Sequence, residues 1–487
     1  MPHVLATDAY KFAMAQAGFP LREETFYFSL RHGGWQYVPL DLASWVRDRV
    51  AGIQESLGTT ADIVGFLDTH HYGMDEAMRA ALTGEIRIEA VPTGTWVHER
   101  EPILTITGPS FLVSFLEPVL LWLNYPIQLA TEAKARTRSG QDEDAWYGTA
   151  TCEEHRDLIL QTVAPILGHD PVITVGSEGY FDRVRSQVAQ LVRAVDEPTR
   201  IFEVGMRSAV CMDQHRIALE ACKAERVEGT SNVMLAHELG MRPVGTMGHE
   251  HVQRWGDDLS AFRSMRDMRR DPPSYLLDTF DTIGSGLPAA RRVMEERPHA
   301  SAIRYDSGDK IAQYRYACDL FSRCGLSPTH VLEDGLDLAI TREFEELRKL
   351  TGLSEAEQIY GYGGYIVAAP GDYRHKRDRV SAVYKLSQTT GEPRMKFGDA
   401  DGLGKTSVPG KPVIWRRQSG DGPLGIIAQQ DESVPPDCVC LTGQPDVADP
   451  LHGYSADMLD EASARSPFTL SPETRRLMDQ LARKRDG

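Results

Sequence analysis

The second half of the chain is dominated by short apolar runs that alternate with amphipathic stretches. From about residue 200 the runs begin at Ile201, Arg226, Arg242, Tyr275, Ala302, Thr329 and Ile359. Most begin roughly 25 to 30 residues apart, about the length of one strand and its return helix. Apolar residues recur at helical spacing between several runs, as at Ile311, Tyr314, Cys318 and Phe321. The pattern predicts the α/β class, with a parallel sheet closed into a barrel whose strand ends share one mouth.

The two ends of the chain show a different pattern. Apolar and polar residues alternate near the start, in FYFSL from Phe26 and in EIRIEAVPTGTWVHEREPILTITG from Glu85. This alternation predicts an N-terminal α+β domain over residues 1–133. Residues 134–380 are assigned to the barrel with its site. Residues 381–487 are again strand-like and rich in Gly and Pro, and we expect them to pack on the N-terminal domain.

The most apolar stretch, residues 111–129, is a possible membrane span. It is interrupted by Glu117, Pro118, Asn124, Pro126 and Gln128. A bilayer-spanning helix tolerates such residues poorly, so we predict a buried helix and no membrane association. The N-terminal sequence has no basic segment followed by an apolar one, which argues against a secretory signal.

Charge and cysteine content narrow the class of protein. The 487 residues carry a net charge of -17, with 41% hydrophobic and 25% charged residues. This balance is typical of a folded chain that repels nucleic acid and acidic membranes. An anionic ligand must therefore be held by a local group of basic residues. The seven cysteines are an odd number and indicate reduced thiols, for which the cytoplasm is the simplest compartment.

Charged side chains follow several of the predicted strands. Arg304 and Asp306 alternate in IRYDSGD and project to the same side. Asp278 and Asp281 end another run, and Asp334 lies at the end of a third. Carboxylates gathered at one mouth need a cation to offset their repulsion, which Mg²⁺ or a positively charged sugar would supply. Solvated turns and surface salt bridges are the alternatives for each residue alone.

Two further clusters have more than one interpretation. Gly361, Gly363 and Gly364 follow a strand, where backbone N–H groups can converge on a phosphate or simply form a turn. His249, which precedes Glu250 and His251, is compatible with a metal site, acid–base chemistry or a phosphorylated imidazole. Zinc is the weakest of these, because it needs about four ligands and no CxxC pair exists.

Scattered basic residues are candidates for holding diphosphate. They are Arg31, Arg207, Lys385, Lys396, Lys405 and Lys411. In a chain of net charge -17 such residues are informative, although each lysine alone is as easily explained as solvated surface.

Several segments, in order, closely resemble the nicotinate phosphoribosyltransferase family, and less closely its relative nicotinamide phosphoribosyltransferase. They are ATDAYKFAMAQ, EVGMRSA, EGTSNVMLA, PVGTMGHE, LLDTFDT, IRYDSGD, YGYGG, VYKL and MKFG followed by PGK. The similarity spans nearly the whole chain. It implies an irregular α/β barrel of the type II phosphoribosyltransferase kind, with an N-terminal α+β domain completed by the C-terminal segment. It also implies a homodimer with shared active sites.

The resemblance implies roles for the residues that contact the substrates. Tyr10 resembles an aromatic residue that the second subunit lends to stack on the pyridine ring. Arg207 and Arg304 resemble residues that face the carboxylate and phosphates, and Ser231 stands where the nicotinamide-using relative has Asp. Serine there would avoid a second negative charge beside nicotinate. Gly363 and Gly364, with Asp334 nearby, resemble the cradle that holds the 5-phosphate.

The resemblance also implies the catalytic residues. Asp278 and Asp306 resemble those beside the ribose and the catalytic histidine. His249 resembles a phosphohistidine that couples ATP hydrolysis to the transfer. Two positions depart from the family pattern. Val204 replaces a base-stacking Phe, for which Phe202 is a candidate substitute, and Glu333 stands where a small residue is usual.

The expected reaction joins nicotinate to phosphoribosyl diphosphate and yields nicotinate mononucleotide and diphosphate, in NAD salvage. Mg²⁺ is the expected cofactor and ATP a co-substrate. Three alternatives stay open: a nicotinamide phosphoribosyltransferase, a non-catalytic paralogue favoured by Val204, and a metal-binding protein built on His249 and His251.

Overall fold

The computed structural model describes residues 3–58, 61–137, 177–368, 377–397, 406–418, 422–462 and 467–486. Cys152 and Lys405 lie outside these ranges. The cysteines that the structure describes are all free thiols, as the odd count predicts.

The N-terminal part is an antiparallel sheet covered by helices. Strands β1 to β5 are Glu23–Leu30, Gln36–Tyr37, Arg87–Ala90, Trp96–Val97 and Leu104–Pro109. The helices are Ala9–Gln16, Leu42–Glu55, Ala61–Thr69, Glu76–Leu82, Ser110–Phe115, Glu117–Leu121 and Asn124–Thr137. β1 pairs with β5, which pairs with β3, while β2 and β4 form a separate ribbon. The inward faces of β1 and β5 and the following helices bury one apolar core.

The middle of the chain is a parallel sheet flanked by helices. Strands β6 to β12 are Ile201–Glu203, Gly229–Thr230, Arg242–Pro243, Ser274–Leu276, Ala302–Tyr305, Thr329–Leu332 and Gln358–Tyr362. The α-helices are Ser177–Val195, Met212–Ala224, Val233–Leu239, His249–Trp255, Asp258–Met268, Leu287–Glu296, Lys310–Arg323, Leu338–Thr351 and Gly364–Val367. Short 3₁₀ or π turns cover Pro198–Arg200, Met206–Ser208, Thr282–Gly286 and Glu355–Glu357.

The order of these strands is β8-β7-β6-β12-β11-β10-β9, and every pair is parallel. Consecutive strands therefore curl around one core, and β8 and β9 form the two edges of a half-barrel. The predicted strands and the helices at 310–323 and 338–351 are confirmed, because their apolar residues pack into this core. The α/β class with a curled parallel sheet is confirmed as well.

The C-terminal part contributes strands to the N-terminal sheet and to a further sheet. Strands β13 to β18 are Ala382–Thr389, Glu392–Pro393, Pro412–Arg417, Gly425–Gln429, Cys438–Cys440 and Phe468–Leu470. The helices are Arg377–Val380, Ala456–Ala462 and Pro472–Asp486. β13 pairs antiparallel with β1, so it extends the N-terminal sheet. A further sheet has the order β17-β15-β16-β18, and Arg416 of β15 is fully buried against Glu101. The two domain boundaries drawn from the sequence stay predictions.

In the described part of the chain, no single helix has the length and apolar character needed to cross a membrane. One bent pair, Ser110–Leu121 with Asn124–Glu132 at 41°, meets the requirement when its two helices are taken together.

Candidate active site

A large cavity opens where the strands of the half-barrel end and the N-terminal sheet meets them. Its volume is about 620 Å³, within the range of small-molecule sites. Among the candidates drawn from the sequence, those that line it are Tyr10, Arg31, Arg207, Ser231, His249, Arg304, Asp306, Asp334, Gly363, Gly364, Lys385 and Lys396. Asp278 lies just behind the wall, 3.9 Å from His249. The structure thus brings the predicted residues to one place, although it does not test the role of any of them.

His249 is the first residue of its helix and faces the centre of the cavity. Its Nε2 lies 2.8 Å from Nζ of Lys396 and 3.4 Å from Oδ2 of Asp306, while Nδ1 is 3.1 Å from Oγ1 of Thr279. An ammonium group only donates, so Nε2 accepts and the ring proton is on Nδ1. Burial, reinforced by the charge of Lys396, lowers the pKa of His249 despite the two nearby aspartates. The ring is therefore neutral, and the lone pair of Nε2 accepts the hydrogen bond from Lys396.

Two carboxylates stand beside this imidazole. Asp278 follows β9 and Asp306 follows β10, and with His249 they offer ligand atoms that all lie within 4.8 Å of one another. Ser307 donates to Oδ2 of Asp278, whereas Oδ1 has no hydrogen-bond partner among the described residues. Although its partial burial acts in the opposite direction, His249, Arg304 and Lys396 hold the pKa of Asp306 well below the usual range. The cluster carries negative charge at neutral pH and suits a cation.

Arg304 links the aspartates to the next strand end. Its guanidinium donates to Thr246 and lies 3.6 Å from Asp306 and 3.5 Å from Glu333. Glu333 is the residue that departs from the family pattern, and burial raises its pKa although Arg304 faces it. The large side chain at position 333 is therefore a partner of Arg304 inside the cavity wall.

The phosphate-cradle candidates lie on two adjacent loops. Asp334 and Gly335 have φ of 56° and 59°, and Nζ of Lys310 donates to the carbonyl of Glu333 at 2.9 Å and to that of Asp334. On the other loop, a Cβ at Gly363 would lie 3.4 Å from the carbonyl oxygen of Val204, and one at Gly364 would lie 3.4 Å from Oγ of Ser208. Both loops line the cavity.

The opposite end of the cavity carries a carboxylate that the sequence reasoning missed. Ser231 donates to Oδ1 of Asp8 at 2.6 Å, and Nε of Arg207 lies 3.5 Å from Oδ2. Burial raises the pKa of Asp8. That Ser231 avoids placing a negative charge beside nicotinate stays a prediction, although Asp8 brings a carboxyl group to the serine itself. Arg207, whose side chain is 37% exposed, is the group that offsets it.

Tyr10 lines the cavity in the single chain, and its supply by a second subunit stays a prediction. Its hydroxyl donates to Glu117 at 2.6 Å, and a Cβ at Gly248 would lie 3.1 Å from its ring. The next residue, Lys11, pairs with Glu117 at 2.6 Å and with Glu250 at 2.9 Å. These buried ion pairs hold the N-terminal helix against the helix that begins at His249.

Position 204, where the resembled family has a stacking Phe, carries Val, and Phe202 lies two residues before it. Val204 and Phe202 both line the cavity. A Cβ at Gly361 would lie 2.8 Å from ring atoms of Phe202, so the glycine makes room for this aromatic ring. That Phe202 takes the place of the missing stacking residue stays a prediction.

His251 does not belong to the site. Its Nε2 contacts Oγ of Ser264 at 2.9 Å, and burial lowers its pKa to about 3. The side chain is fully buried between helices, so the alternative of a metal centre built on His249 and His251 is wrong. Lys411 is likewise absent from the described lining of the cavity.

Three residues of the site escaped the sequence reasoning. Asp8 stands inside the quoted segment ATDAYKFAMAQ, so the segment was found and the residue was not. Glu117 was seen only as an interruption of an apolar stretch, and Thr279 only as part of LLDTFDT. Each acquires its contact from a residue far along the chain, which no local pattern reveals.

Comparisons with known proteins find similarity to one family. Residues 199–420 match the model of the nicotinate phosphoribosyltransferase (NAPRTase) family. The chain is 24% identical to the nicotinate phosphoribosyltransferase of Bos taurus over 89% of this chain and 80% of the relative. It is 25% identical to that of Bacillus subtilis over 58% of this chain and 57% of the relative.

Solved structures show the same fold. A nicotinate phosphoribosyltransferase from Porphyromonas gingivalis aligns with a TM-score of 0.56 and 19% identity, over 83% of this chain and 95% of that one. One from Vibrio cholerae aligns with a TM-score of 0.54 and 18% identity, over 82% of this chain and 89% of that one. The architecture is thus the type II phosphoribosyltransferase fold. The matched residues contain β6 to β12 and most of the cavity, and over them the chain is similar to the nicotinate phosphoribosyltransferase family.

Proposed function

We propose that this protein transfers the phosphoribosyl group of phosphoribosyl diphosphate to nicotinate. The pyridine nitrogen forms a bond to C1 of the ribose, and the bond from C1 to the diphosphate oxygen breaks. The products are nicotinate mononucleotide and diphosphate. The observation that carries the proposal is the meeting of His249, Arg304 and Asp306 in one cavity, with Asp278 directly behind its wall.

The charges around the cavity fit this reaction. C1 becomes positive as diphosphate leaves, and the carboxylates of Asp278 and Asp306 stabilise that charge. Arg31, Lys385 and Lys396 line the same cavity and would hold the departing anion. The lone pair of the pyridine nitrogen attacks directly, so this step needs no general base.

Magnesium is part of the proposal. Asp278 and Asp306 present carboxylate oxygens within 4.8 Å of each other, and Oδ1 of Asp278 has no hydrogen-bond partner among the described residues. Oxygen ligands of this kind suit Mg²⁺, which these two residues would hold together with diphosphate oxygens. The ion would neutralise charge on the leaving group.

Coupling to ATP is a further part of the proposal. Nε2 of His249 would attack the terminal phosphorus of ATP, and the bond to the ADP oxygen would break. Water would later release phosphate from the histidine. The unprotonated Nε2 beside Lys396 supports this role, because the ammonium can stabilise the transferred phosphoryl group.

The base that the enzyme accepts separates the proposal from its nearest rival. With phosphoribosyl diphosphate, ATP and Mg²⁺, nicotinate should give a product of the mass of nicotinate mononucleotide. Arg207 favours an anionic base, so we expect kcat/KM for nicotinate to exceed that for nicotinamide by about 100-fold or more. Rates measured side by side with the two bases check this.

The same assay tests both rival functions. Equal rates, or a preference for nicotinamide, would support a nicotinamide phosphoribosyltransferase. Absence of diphosphate release with either base would support the non-catalytic paralogue that Val204 favours. Salvage of NAD precursors in the cytoplasm would follow from the nicotinate-dependent activity and is proposed with it.

A homodimer with shared active sites is a further part of the proposal. If the partner subunit supplies Tyr10, mixing Tyr10→Ala with His249→Ala protein should restore activity toward a quarter of the unaltered rate. The mixture is unfolded and refolded together so that subunits can exchange, and activity is compared with each variant alone. A mixture no more active than the two variants alone would mean that Tyr10 acts in the cavity of its own chain, which it also lines.

A further inference from the structure

The loop that follows β11 has an uncommon backbone conformation. Asp334 and Gly335 have φ of 56° and 59°, so two successive residues lie in the left-handed region. Glycine adopts this region easily, whereas an aspartate loses free energy there because its Cβ comes close to a carbonyl oxygen. The loop lines the large cavity, as do Gly363 and Gly364. Its conformation must therefore be stabilised by contacts with neighbouring elements.

The two ends of this loop are fixed by the elements that it connects. The N–H of Glu333 donates to the carbonyl of Tyr305 at 3.2 Å, which continues the pairing of β11 with β10. At the other end, Asp337 caps the helix Leu338–Thr351 by accepting from the N–H of Ile340 at 2.8 Å. The left-handed turn lies between these two contacts, so it depends on a contact of its own.

Lys310 supplies that contact. It is the first residue of the helix Lys310–Arg323, which follows β10. Its Nζ donates to the carbonyl of Glu333 at 2.9 Å and also to that of Asp334. A Cβ at Gly335 would lie 3.9 Å from the same Nζ, so the ammonium lies directly against the turn. One cation therefore connects the segment after β10 to the left-handed turn after β11.

Lys310 also changes the charge of this loop. Glu333, Asp334 and Asp337 all line the cavity, so the loop brings three carboxyl groups to the place where a phosphate would bind. Such a loop repels an anion unless cations lie beside it. Arg304 lies 3.5 Å from Glu333, and the ammonium of Lys310 adds positive charge at the turn itself. Removal of this lysine would therefore affect both the conformation and the charge of the turn.

We infer that Lys310 is a positioning residue for the 5-phosphate of phosphoribosyl diphosphate. It is absent from the described lining of the cavity, so it acts through the turn at Asp334 and Gly335 rather than on the ligand. The inference rests on the proposed function, because it assigns the phosphate to a substrate of that reaction. The segment after β10 then serves both ends of the ribose, with Asp306 near C1 and Lys310 behind the 5-phosphate.

The test is calorimetric titration of the full chain with phosphoribosyl diphosphate and, separately, with inorganic diphosphate, each with Mg²⁺ and without nicotinate or ATP. Only the first ligand carries a 5-phosphate. Lys310→Met keeps a long side chain and removes the charge, so it should raise Kd for phosphoribosyl diphosphate by about 10-fold, the effect of losing one charged donor. Kd for diphosphate should stay within twofold.

The matched control is Lys349→Met, which removes an exposed lysine from the helix that follows the loop. It should change neither Kd. In an active preparation the same difference should appear in the kinetics of Lys310→Met. KM for phosphoribosyl diphosphate should rise by about 10-fold, while KM for nicotinate stays within twofold because the base binds at the other end of the cavity.

Three results would overturn the inference. An unchanged Kd for phosphoribosyl diphosphate in Lys310→Met would show that the turn does not need the ammonium. An equal rise of both Kd values would mean that the substitution disturbs the whole cavity. If the unaltered protein bound no phosphoribosyl diphosphate, the proposed function itself would be contradicted and the role of Lys310 with it.

Discussion

Replacing Asp306 with Asn should lower kcat/KM by about 100- to 1000-fold, the range typical of removing one group that stabilises transition-state charge. Asp306 lies 3.4 Å from Nε2 of His249 and 3.6 Å from Arg304, and its pKa is held well below the usual range. Asparagine keeps the shape of the side chain and removes the negative charge. Steady-state kinetics with saturating Mg²⁺ measure the effect.

The matched control for this change lies three residues further along the chain. Asp309 is exposed and caps the helix Lys310–Arg323 by accepting from the backbone N–H of Ala312 at 3.0 Å. Asparagine caps a helix equally well, so Asp309→Asn should leave kcat/KM within twofold. An Asp306→Asn protein that folds normally and keeps its activity within threefold would contradict the assignment.

Replacing His249 with Ala should abolish the acceleration of the transfer by ATP, so that rates with and without ATP become equal. The same variant should take up no phosphoryl group from labelled ATP. The physical reason is that Nε2 of His249 is unprotonated and lies 2.8 Å from the ammonium of Lys396. Incorporated label that survives alkali and is lost in acid identifies a phosphohistidine in the unaltered protein.

The ratio of the rates with and without ATP separates loss of the histidine from partial misfolding, because misfolding lowers both rates alike. His32→Ala, which changes an exposed histidine, is the control and should keep the full ratio. Because burial lowers the pKa of His249, labelling should not fall as the pH is reduced toward the ordinary pKa of a histidine. Full ATP stimulation in His249→Ala would exclude the phosphohistidine role.

Several features of the fold and site were predictable because they depend on local spacing. The strand from Ala302 to Tyr305 was found from its apolar run, and the period of two put Arg304 and Asp306 on one side. Position in the chain also indicated that these residues share a mouth with His249, since polar residues at the ends of parallel strands face the same edge.

Other features could not be predicted because they arise from contacts between distant parts of the chain. Ser231 and Asp8 are separated by 223 positions, and Lys396 and His249 by 147. The position of Tyr10 is fixed by its own bond to Glu117 and by the ion pairs of Lys11, which connect helices that no sequence pattern links.

The sequence by itself determined the α/β class, the parallel strands and the residue types of the site, because apolar periodicity and turn chemistry depend on residues close together in the chain. Only the tertiary structure decided the strand order with β6 between β7 and β12 and the carboxylate of Asp8 beside Ser231. These depend on which buried surfaces pack together, and the free energy of that packing is a property of the whole core.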